Sequence, residues 1–496
     1  MIRHRRLTAV LCLVAALGLS GCLLQPDEPS GQGAGKPPKK PNIVFVLTDD
    51  LSWNLVAHMP QVQRMQKDGL TFSDFIMADS LCCTSRATIF TGRYPHNTGV
   101  RTNFPPDGGY EVFKAKGGEQ ASFAPSLQKA GYRTALLGKY MNGYQPNDTQ
   151  GSTKPYVPPG WDEWHVSGNG YPEYDYNLNE NGRLVHYGSE PQDYLTDVLA
   201  DKGVEFLKRS SGFGPFFMQI ATFAPHGPFV PAPRHAKLFG DLKAPRPPSF
   251  NEADLRDKPS WLRSHPKLRG PGIDRIDAGF RDRVRMVQSV DEMVGRIRTA
   301  LKDLGLDRDT YLVFGSDNGF HMGEHRLAGG KMTAFDTDIR VPYVVVGPAV
   351  PAGREVGEIA QNTDLAPTFQ ELAGARPAVA ADGRSLVPFL RGAKPADWRE
   401  SGLVEHVKPA PSPLDPDRQD SAPGSPTTYN ALRTDDMLYV EYADGQREYY
   451  DRARDPHELT NIAAGLPEER RRHLSALLYA LTHCAGAGCT SAGRSR

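Results

Sequence analysis

The chain has 496 residues, and its 58 basic side chains (Lys and Arg) balance 58 acidic ones (Asp and Glu), so its formal net charge is zero. A balanced charge excludes a global electrostatic field that would recruit nucleic acid, so recognition of an anion has to be local. The length exceeds that of a typical single core and predicts one large domain followed by a smaller one.

The N-terminus is predicted to be an export signal. A basic stretch that begins at Arg3 precedes the apolar run Leu7–Leu19, which is too short for a spanning helix. The run closes with a Leu-Ser-Gly-Cys sequence that resembles a bacterial lipobox, so residues 1–21 are predicted to be a lipoprotein signal peptide and Cys22 the lipidated residue. An acylated residue holds a protein at a membrane without a spanning segment. This predicts an exported, bacterial cell-surface lipoprotein with a flexible tether over residues 22–40, or a secreted protein if the signal is an ordinary one.

Short apolar runs alternate with longer helix-like segments between about residues 42 and 390. The run Ile43–Leu47 is apolar throughout, which is typical of a strand buried on both faces. Three later runs have a similar character: Arg133–Leu137, Phe216–Ile220 and Tyr311–Phe314. Apolar residues from Val284 to Leu304 recur at steps of three and four, which predicts an amphipathic helix. The alternation predicts an α/β fold with a large mixed, mostly parallel sheet flanked by helices.

Long connections separate some of these elements. The stretches Asn142–Tyr171 and Pro228–Asp274 are rich in Pro, Gly and charge, and both are predicted to be surface loops. Long loops in compact domains often form the walls of functional sites.

The character of the chain changes after about Gly392. An exposed loop is predicted over Pro409–Ser425, then a hairpin over Met437–Tyr450 and a helix over Pro467–Thr482. We therefore expect a large domain over residues 41–392 and a small C-terminal α+β domain over residues 393–496. Within the latter, an exported protein would meet an oxidising compartment, so Cys484 and Cys489 are predicted to form a disulfide.

Acidic residues follow two of the predicted strands, where open α/β sheets bind their ligands. Asp49 and Asp50 follow the first strand, and Asp317 and Asn318 follow a later one. Three carboxylates and an amide oxygen, brought together, suit a hard divalent cation such as Ca²⁺ or Mg²⁺ and lack the ligands that favour zinc. Taken singly, each pair is more typical of turn-forming residues than of a metal site.

A cysteine pair, Cys82 and Cys83, begins another helix-like segment. A reactive residue at the start of a helix gains from the free backbone N–H groups and the helix dipole, which also attract anions. Arg86, one turn further on, can add a bidentate clamp on a tetrahedral oxyanion. Buried packing is the alternative explanation of the pair when it is taken alone.

Further cationic residues follow other strands or lie in nearby loops. Lys139 comes after one strand, His226 after another, and Lys331 in the loop that follows Asp317. Each is weak evidence alone. Together these residues describe a site in which a metal, a nucleophile and several positive groups face one anionic ester.

A set of segments spread along the chain carries a family resemblance: Asn42–Asp50, Cys82–Arg86, Thr91–His96, Asp317–Gly319, Gly323–His325, Gly330-Lys331, Ile339–Pro342, Tyr449–Asp451 and Asp455–Asn461. Together these segments resemble the sulfatase family, and the likeness covers nearly all of the chain after the export signal, in the family's order. The doubled cysteine, Gly138-Lys139-Tyr140 and Pro248–Asn251 look nearest to the N-acetylglucosamine-6-sulfatase branch.

The resemblance implies a mechanism that uses a modified cysteine. In this family a maturation enzyme oxidises the first Cys of the signature, here Cys82, to formylglycine. One hydroxyl of the hydrated aldehyde, a gem-diol, attacks sulfur, and the other later expels sulfate. Residue 82 would also contact the metal, which family habit makes Ca²⁺, with Mg²⁺ as the alternative. The metal ligands implied by the resemblance are Asp49, Asp50, Cys82, Asp317 and Asn318.

The resemblance also assigns roles to the cationic residues. Arg86, Lys139 and Lys331 would stabilise charge on the transferring group. His226 would assist the leaving alcohol or bind the sulfate. The substrate implied is a sulfated sugar or an aryl sulfate, bound through Lys139, His226 and Lys331.

Two departures from the family pattern affect the implied mechanism. Thr84 stands where the signature usually has Pro, and Met141 where many members have His, so a base would have to come from His226 or His325. Two other functions stay open. One is a phosphodiesterase or phosphonate monoester hydrolase of the same superfamily, because such enzymes share the metal ligands and sometimes the formylglycine. The other, if Thr84 prevents oxidation of the cysteine, is a non-catalytic lipoprotein that binds sulfated glycans.

Overall fold

A computed structural model describes residues 40–418 and 425–494. The predicted signal peptide, the lipidation site at Cys22 and the tether up to residue 39 lie outside the described residues. No helix in the described part of the chain has the length and apolar character that crossing a membrane requires.

Eleven strands of the described chain form one large mixed sheet, which confirms the predicted fold class. Its strands are β1 (Asn42–Thr48), β2 (Leu70–Ile76), β3 (Arg133–Lys139), β4 (Glu163–Ser167), β5 (Tyr176–Glu180), β6 (Arg183–Tyr187), β7 (Phe216–Ala221), β8 (Thr310–Ser316), β9 (Arg340–Val346), β10 (Arg354–Val356) and β11 (Ala360–Gln361). The order is β10-β2-β9-β8-β1-β7-β3-β4-β5-β6, and β11 pairs with β2. The five central strands, from β8 to β4, run parallel.

Helices cover both faces of this sheet. In chain order the helices are α1 (Pro60–Asp68), α2 (Cys82–Thr91), α3 (Pro95–Thr98), α4 (Gly109–Ala115), α5 (Gly118–Ala121), α6 (Phe123–Lys129), α7 (Leu195–Ser210), α8 (Ser260–Arg263), α9 (Gly270–Asp303), α10 (Asp336–Ile339), α11 (Leu365–Ala373), α12 (Val387–Leu390), α13 (Glu468–Thr482) and α14 (Ala487–Ala492).

The central strand β1 shows why its sequence is apolar without alternation. All seven of its residues are buried. Ile43 and Phe45 join a core with α2, α6 and α11, whereas Val44 and Val46 join the opposite core with α1, α7 and α9. Full burial of such a side chain stabilises the fold by roughly 1.5–3 kcal/mol, so the two-sided cover of β1 holds the sheet centre rigidly.

Two predicted loops contain regular structure that the sequence pattern does not reveal. Helix α9 begins at Gly270, with Pro271 in its first turn, where proline removes no helical hydrogen bond. The Gly-Pro-Gly start is typical of a loop, which hides the first turns of this 34-residue helix. Strand β4 lies within the predicted loop Asn142–Tyr171, and its five residues are buried beside β3.

A second, antiparallel sheet follows in the C-terminal part of the chain. It consists of β12 (Gly402–His406), β13 (Tyr429–Arg433), β14 (Met437–Tyr442) and β15 (Arg447–Asp451) in that order. Strands β14 and β15 form the predicted hairpin, α13 packs its leucines against this sheet, and Cys484 and Cys489 are joined by a disulfide. The described residues from Lys40 onward form one compact unit, so the boundary at residue 392 stays a prediction.

A buried arginine ties the second sheet to the first. Arg433, at the end of β13, is fully buried. Its Nη2 donates to Asp74 Oδ1 of β2 at 2.7 Å, and its Nε donates to Asp336 Oδ1 of α10 at 2.9 Å. Asp74 belongs to the large sheet, and Asp336 lies in the helix directly before its strand β9. This one arginine side chain therefore links β13 to the large sheet.

Candidate active site

The carboxyl ends of four parallel strands place the predicted site residues at one edge of the sheet. Neighbouring strands β8, β1, β7 and β3 end there together. Asp317 follows β8, Asp49 follows β1, His226 follows β7 by a short loop, and Lys139 is the last residue of β3. Residues remote in sequence become neighbours because parallel strands present the same end on the same side.

Four of the side chains form an acidic cluster: Asp49, Asp50, Asp317 and Asn318. All four are at most 1% exposed. Asn318 Nδ2 donates to Asp50 Oδ1 at 2.6 Å, and the Asp50 backbone N–H donates to Asp317 Oδ1 at 3.2 Å. Asp50 Oδ2 and Asn318 Oδ1 are buried and have no hydrogen-bond partner among the described residues. Two buried oxygens without hydrogen-bond partners, next to further carboxylates, are suited to bind a hard divalent cation such as Ca²⁺ or Mg²⁺.

The backbone at Asp50 supports this arrangement. Its φ of +66° lies in the left-handed region, which a non-glycine residue adopts only when its surroundings hold it there. Arg283, which is fully buried on α9, donates from Nη2 to the Asp50 carbonyl oxygen. The helix thereby helps to hold the turn that brings Asp49 and Asp50 to the same site.

Cys82 is the first residue of α2 and lies against the acidic cluster. Its side chain is completely buried, and its Sγ is 3.1 Å from Asp49 Oδ1 and 2.7 Å from Lys331 Nζ. Ligand atoms of Cys82, Asp49, Asp50 and His226 all lie within 4.8 Å of one another. Burial, together with the carboxylates of Asp417 and Asp49, raises the pKa of the Cys82 thiol well above its usual value. The unmodified thiol therefore stays protonated and is a poor nucleophile.

Arg86 lies one turn further along α2 and is also fully buried. Its Nε donates to Asp317 Oδ2 at 2.8 Å, and its Nη1 donates to the Lys139 carbonyl oxygen at 3.1 Å. In the described structure Nη2 has no hydrogen-bond partner. The guanidinium is thus fixed on two sides and keeps one donor for a substrate oxygen.

The two lysines of the site are held by carboxylates. Lys139 Nζ is 2.5 Å from Asp49 Oδ2, and Lys331 Nζ is 2.5 Å from Asp50 Oδ1. Burial alone would lower the pKa of each lysine, but the neighbouring carboxylates raise both pKa values well above the usual range. Both side chains are therefore cationic. Gly138, the residue before Lys139, lets β3 lie close to the end of β7, because a Cβ at position 138 would lie 2.0 Å from the Ala221 carbonyl oxygen.

His226 presents both ring nitrogens to oxygen acceptors. Its Nδ1 is 2.6 Å from the Gly227 carbonyl oxygen, and its Nε2 is 2.9 Å from Asp417 Oδ1. Burial would lower the pKa of His226, but the carboxylates of Asp50, Asp49 and Asp417 raise it above the usual value. A ring with two acceptors is satisfied when both nitrogens carry protons, so the geometry favours the imidazolium.

Three residues that the sequence analysis did not single out also belong to the site. The side chain of Asp417 is 4% exposed and contacts His226 and Lys331, although it lies in the loop predicted to be exposed. Asn103 is fully buried and donates to Asp417 Oδ2 at 2.7 Å. The ring of Tyr171 lies beneath Lys139 Nζ at 4.9 Å and beside His226 at 4.6 Å between ring centroids. No spacing or motif in the sequence connects these residues to the signature.

The alternative base proposed from sequence, His325, makes its contacts elsewhere. Its Nδ1 is 2.6 Å from Glu252 Oε2, and its ring stacks on Phe335 at a centroid distance of 3.9 Å. Burial, and then the charge of Lys258, hold the pKa of His325 well below its usual value. Met141 is buried in the core around β1. Of the two histidines, His226 is therefore the one within reach of residue 82.

A cluster suited to a hard cation, a buried residue at a helix start and four surrounding cationic groups define an enzyme that acts on an anionic ester. The comparison with protein families makes this specific. The model of the sulfatase family matches residues 41–375, and the chain belongs to this family. A second model, described as the C-terminal part of N-sulphoglucosamine sulphohydrolase, matches residues 323–478. The resemblance to sulfatases is confirmed, and the protein is a sulfatase.

Individual relatives extend over almost the whole chain. N-acetylglucosamine-6-sulfatase of Homo sapiens is 34% identical, with 98% of this chain and 90% of the relative covered. N-acetylglucosamine-6-O-sulfatase of Bacteroides thetaiotaomicron is 26% identical, with 92% and 87% covered.

Solved structures share the fold. One, in complex with its substrate D-glucosamine-2-N,6-O-disulfate, has a TM-score of 0.72 at 24% identity and covers 92% of this chain and 100% of its own. Phosphonate monoester hydrolase of Agrobacterium radiobacter has a TM-score of 0.68 at 23% identity, with 89% and 96% covered.

Proposed function

We propose that this sulfatase hydrolyses the 6-O-sulfate ester of glucosamine residues, with Cys82 converted to formylglycine and with a divalent cation, Ca²⁺ in preference to Mg²⁺, in the acidic cluster. The observation that carries the proposal is the position of Cys82. Its Sγ lies between Asp49 Oδ1, at 3.1 Å, and Lys331 Nζ, at 2.7 Å, at the start of a buried helix. A substituent on residue 82 would thus face both the acidic cluster and a cation.

Modification and metal supply the chemistry that a buried thiol lacks. When present, formylglycine provides a hydrated aldehyde as the nucleophile, and the cation lowers the pKa of its hydroxyl and binds a sulfate oxygen. The oxygens of Asp50 and Asn318 that lack hydrogen-bond partners in the described structure are the atoms that support cation binding.

The protein's own cationic side chains would bind and orient the sulfate. Arg86 Nη2 is available as a donor, and Lys139 and Lys331 carry positive charge at fixed positions. Charges that are already oriented stabilise the negative charge of the transition state without reorganisation. His226 Nε2 would hold the proton that passes to the leaving alcohol oxygen, because its pKa is raised and its ring is oriented by Gly227.

The choice of a sulfated sugar rests on the relatives and on the cavity beside the site. Several relatives are named N-acetylglucosamine-6-sulfatase, and one structural neighbour contains a glucosamine disulfate. The cavity has a volume of about 440 Å³ and is lined by His226, Lys331, Phe229, Phe320 and Arg275, among others. Apolar rings beside cationic groups are suited to a sugar that carries an anionic substituent.

The test begins with the modification itself. The protein is produced in a host that contains the maturation enzyme, and the peptide that ends at Arg86 is analysed by mass spectrometry. We expect Cys82 to be found as formylglycine and the protein to release sulfate from N-acetylglucosamine 6-sulfate. Cys82→Ala should abolish turnover, whereas Cys83→Ala, which changes the adjacent buried cysteine, should retain it.

Two results would replace the proposal with the alternatives. A faster rate on an aryl phosphodiester than on any sulfate ester would identify a phosphodiesterase or phosphonate monoester hydrolase. An intact thiol at Cys82 in that host, with tight binding of sulfated glycans and no turnover, would identify a binding lipoprotein.

The proposal includes export and lipid attachment at Cys22, for which the lipobox-like sequence is the support. We expect the full chain to partition into the detergent phase when membranes are extracted. Cys22→Ser should move it to the aqueous phase, and a wild-type chain found there would contradict the anchor.

A further inference from the structure

The loop between β12 and β13 inserts a carboxylate among the cationic groups of the site. Asp417 Oδ1 lies 2.9 Å from His226 Nε2 and 2.9 Å from Lys331 Nζ. Its Oδ2 accepts a hydrogen bond from Asn103 Nδ2 at 2.7 Å and lies 3.5 Å from Cys82 Sγ. We call the three donors, Asn103, His226 and Lys331, the anion site.

The carboxylate of Asp417 has the charge and shape of one edge of a sulfate ester. Both groups carry one negative charge and present two oxygens on a single central atom. Two of the three donors in the anion site, His226 and Lys331, are residues that the proposed function assigns to the substrate. The Oδ2 atom also faces residue 82, where the nucleophile would form, so the carboxylate and a reacting sulfate would compete for the same position.

Asn103 is oriented so that it can only donate to this position. Its Oδ1 accepts the backbone N–H of Cys83 at 3.1 Å, which fixes the amide and turns Nδ2 toward Asp415, at 2.9 Å, and Asp417, at 2.7 Å. A flipped amide would place its oxygen against two carboxylates and lose the bond to Cys83. The Nδ2 group of Asn103 is therefore already oriented to donate to an anion.

The loop that carries Asp417 closes the path from the cavity to residue 82. The cavity is lined by Pro416, Asp417 and Arg418, whereas Cys82 is fully buried. Within the described residues 407–418 of this loop, no apolar residue is buried, and Leu414 is 76% exposed. A segment with few buried apolar contacts opens at low cost in free energy.

We propose that Asp417 occupies the position of the substrate's sulfate in this structure, and that Asn103 is a substrate-binding residue that donates to that sulfate when Asp417 withdraws. The inference rests on the proposed function and adds a third donor to its anion site. It makes Asp417 an internal competitor. Removing Asp417 should therefore strengthen the binding of an anion, and removing Asn103 once Asp417 is gone should weaken it.

The experiment measures the binding of inorganic sulfate by isothermal titration calorimetry to the full-length protein loaded with Ca²⁺, with chloride at matched ionic strength as the reference. Asp417→Ala should bind sulfate about tenfold or more tightly than the wild type, because a protein whose competent state is scarce binds with reduced apparent affinity. Asn103→Ala, introduced into Asp417→Ala so that no competing carboxylate loses the same bond, should weaken sulfate binding about tenfold or more relative to Asp417→Ala alone, as expected when a hydrogen bond to a charged group is lost. Asp444→Asn removes one negative charge from the exposed hairpin turn and should leave sulfate binding unchanged.

Folding is controlled by thermal unfolding of each variant, since Asn103 also accepts the N–H of Cys83 at the start of α2. Asn103→Leu in the Asp417→Ala background fills a similar volume without a donor and should weaken sulfate binding to the same extent as Asn103→Ala. Sulfate binding by a folded Asn103→Ala, Asp417→Ala double variant equal to that of Asp417→Ala would overturn the role of Asn103. Unchanged or weaker binding by Asp417→Ala would overturn the competition.

These outcomes are separate from those of the proposed function, because sulfate binding is measured without turnover. Opposite shifts from the two substitutions, with no hydrolysis of sulfated sugars, would support the anion site and refute the substrate. Hydrolysis of sulfated sugars with no shift from either substitution would refute the anion site alone.

Discussion

Replacing Arg433 by Met should destabilise the protein more than any exposed ion pair of the chain can. Arg433 is completely buried, while its partners Asp74 and Asp336 are each 14% exposed. Loss of one partner from a buried ion pair costs about 3–5 kcal/mol, because the remaining charge is left without compensation. Asp336 keeps Arg452 as a partner, so we expect the lower end, about 3 kcal/mol, in the free energy of unfolding.

The assay is equilibrium unfolding in urea, with the m-value compared between variants so that a change in the midpoint reports stability. The matched control is Arg454→Met, since Arg454 is 88% exposed and its nitrogen is 3.6 Å from Asp451. An exposed pair contributes at most about 1 kcal/mol. If Arg433→Met lost no more stability than Arg454→Met, the buried link between the sheets would not have the strength inferred here.

The same variant predicts a pH dependence. Burial would raise the pKa of Asp336, but Arg433 and then Arg452 outweigh it and hold the pKa well below its usual value of 3.8. A carboxyl with a depressed pKa contributes stability above its unfolded pKa, and that stability is lost as the pH falls toward the folded value. The difference between wild type and Arg433→Met should therefore be largest near neutral pH and shrink below about pH 4.

Three further predictions concern the site itself. Thr84→Pro should increase the fraction of Cys82 found as formylglycine by mass spectrometry. It should cause no loss of stability, because Thr84 is the third residue of α2 and its N–H has no acceptor within the helix. An unchanged fraction of formylglycine would show that Thr84 is no obstacle. Removal of divalent cations by a chelator should abolish sulfate release and lower the unfolding temperature, with Ca²⁺ restoring both; activity that survives exhaustive chelation would exclude a metal in the acidic cluster. Lys139→Met should lower kcat/KM by a factor of about 10²–10³, the usual loss when an oriented charge is removed from a transition state. Lys202→Met, which removes a lysine paired with Glu180 at 2.8 Å, is its control and should leave kcat/KM unchanged.

The strand ends were predictable from sequence because their physics is local. A continuous apolar run identifies a strand such as β1, and the polar residues that follow it must lie at the edge of the sheet. Asp49, Asp317, His226 and Lys139 were found in this way. The structure brings these residues together without any information beyond strand direction and order.

The rest of the site depends on contacts that leave no local trace. Asp417 lies 314 positions from Asn103 and 335 from Cys82, in a loop whose composition is typical of exposed segments. Tyr171 comes from the end of a predicted loop that also hides strand β4. Whether a loop residue lies in the site is determined by tertiary packing, and neither hydrophobic periodicity nor motif spacing in the sequence reports on that packing.

If Cys82 is converted to formylglycine as proposed, its burial sets an order of events during the synthesis of the protein. A maturation enzyme has to bind the chain around Cys82, which is fully buried as the first residue of α2, so it would have to act before the sheet closes. Closure needs β8 and Asp317, which are made much later than Cys82. At about 5–20 residues per second, this leaves a window of roughly 10–50 s after the cysteine has been added. A chain that folds before modification would keep its thiol while it stays folded, so under the proposed function the active fraction of a preparation would record how often modification preceded folding.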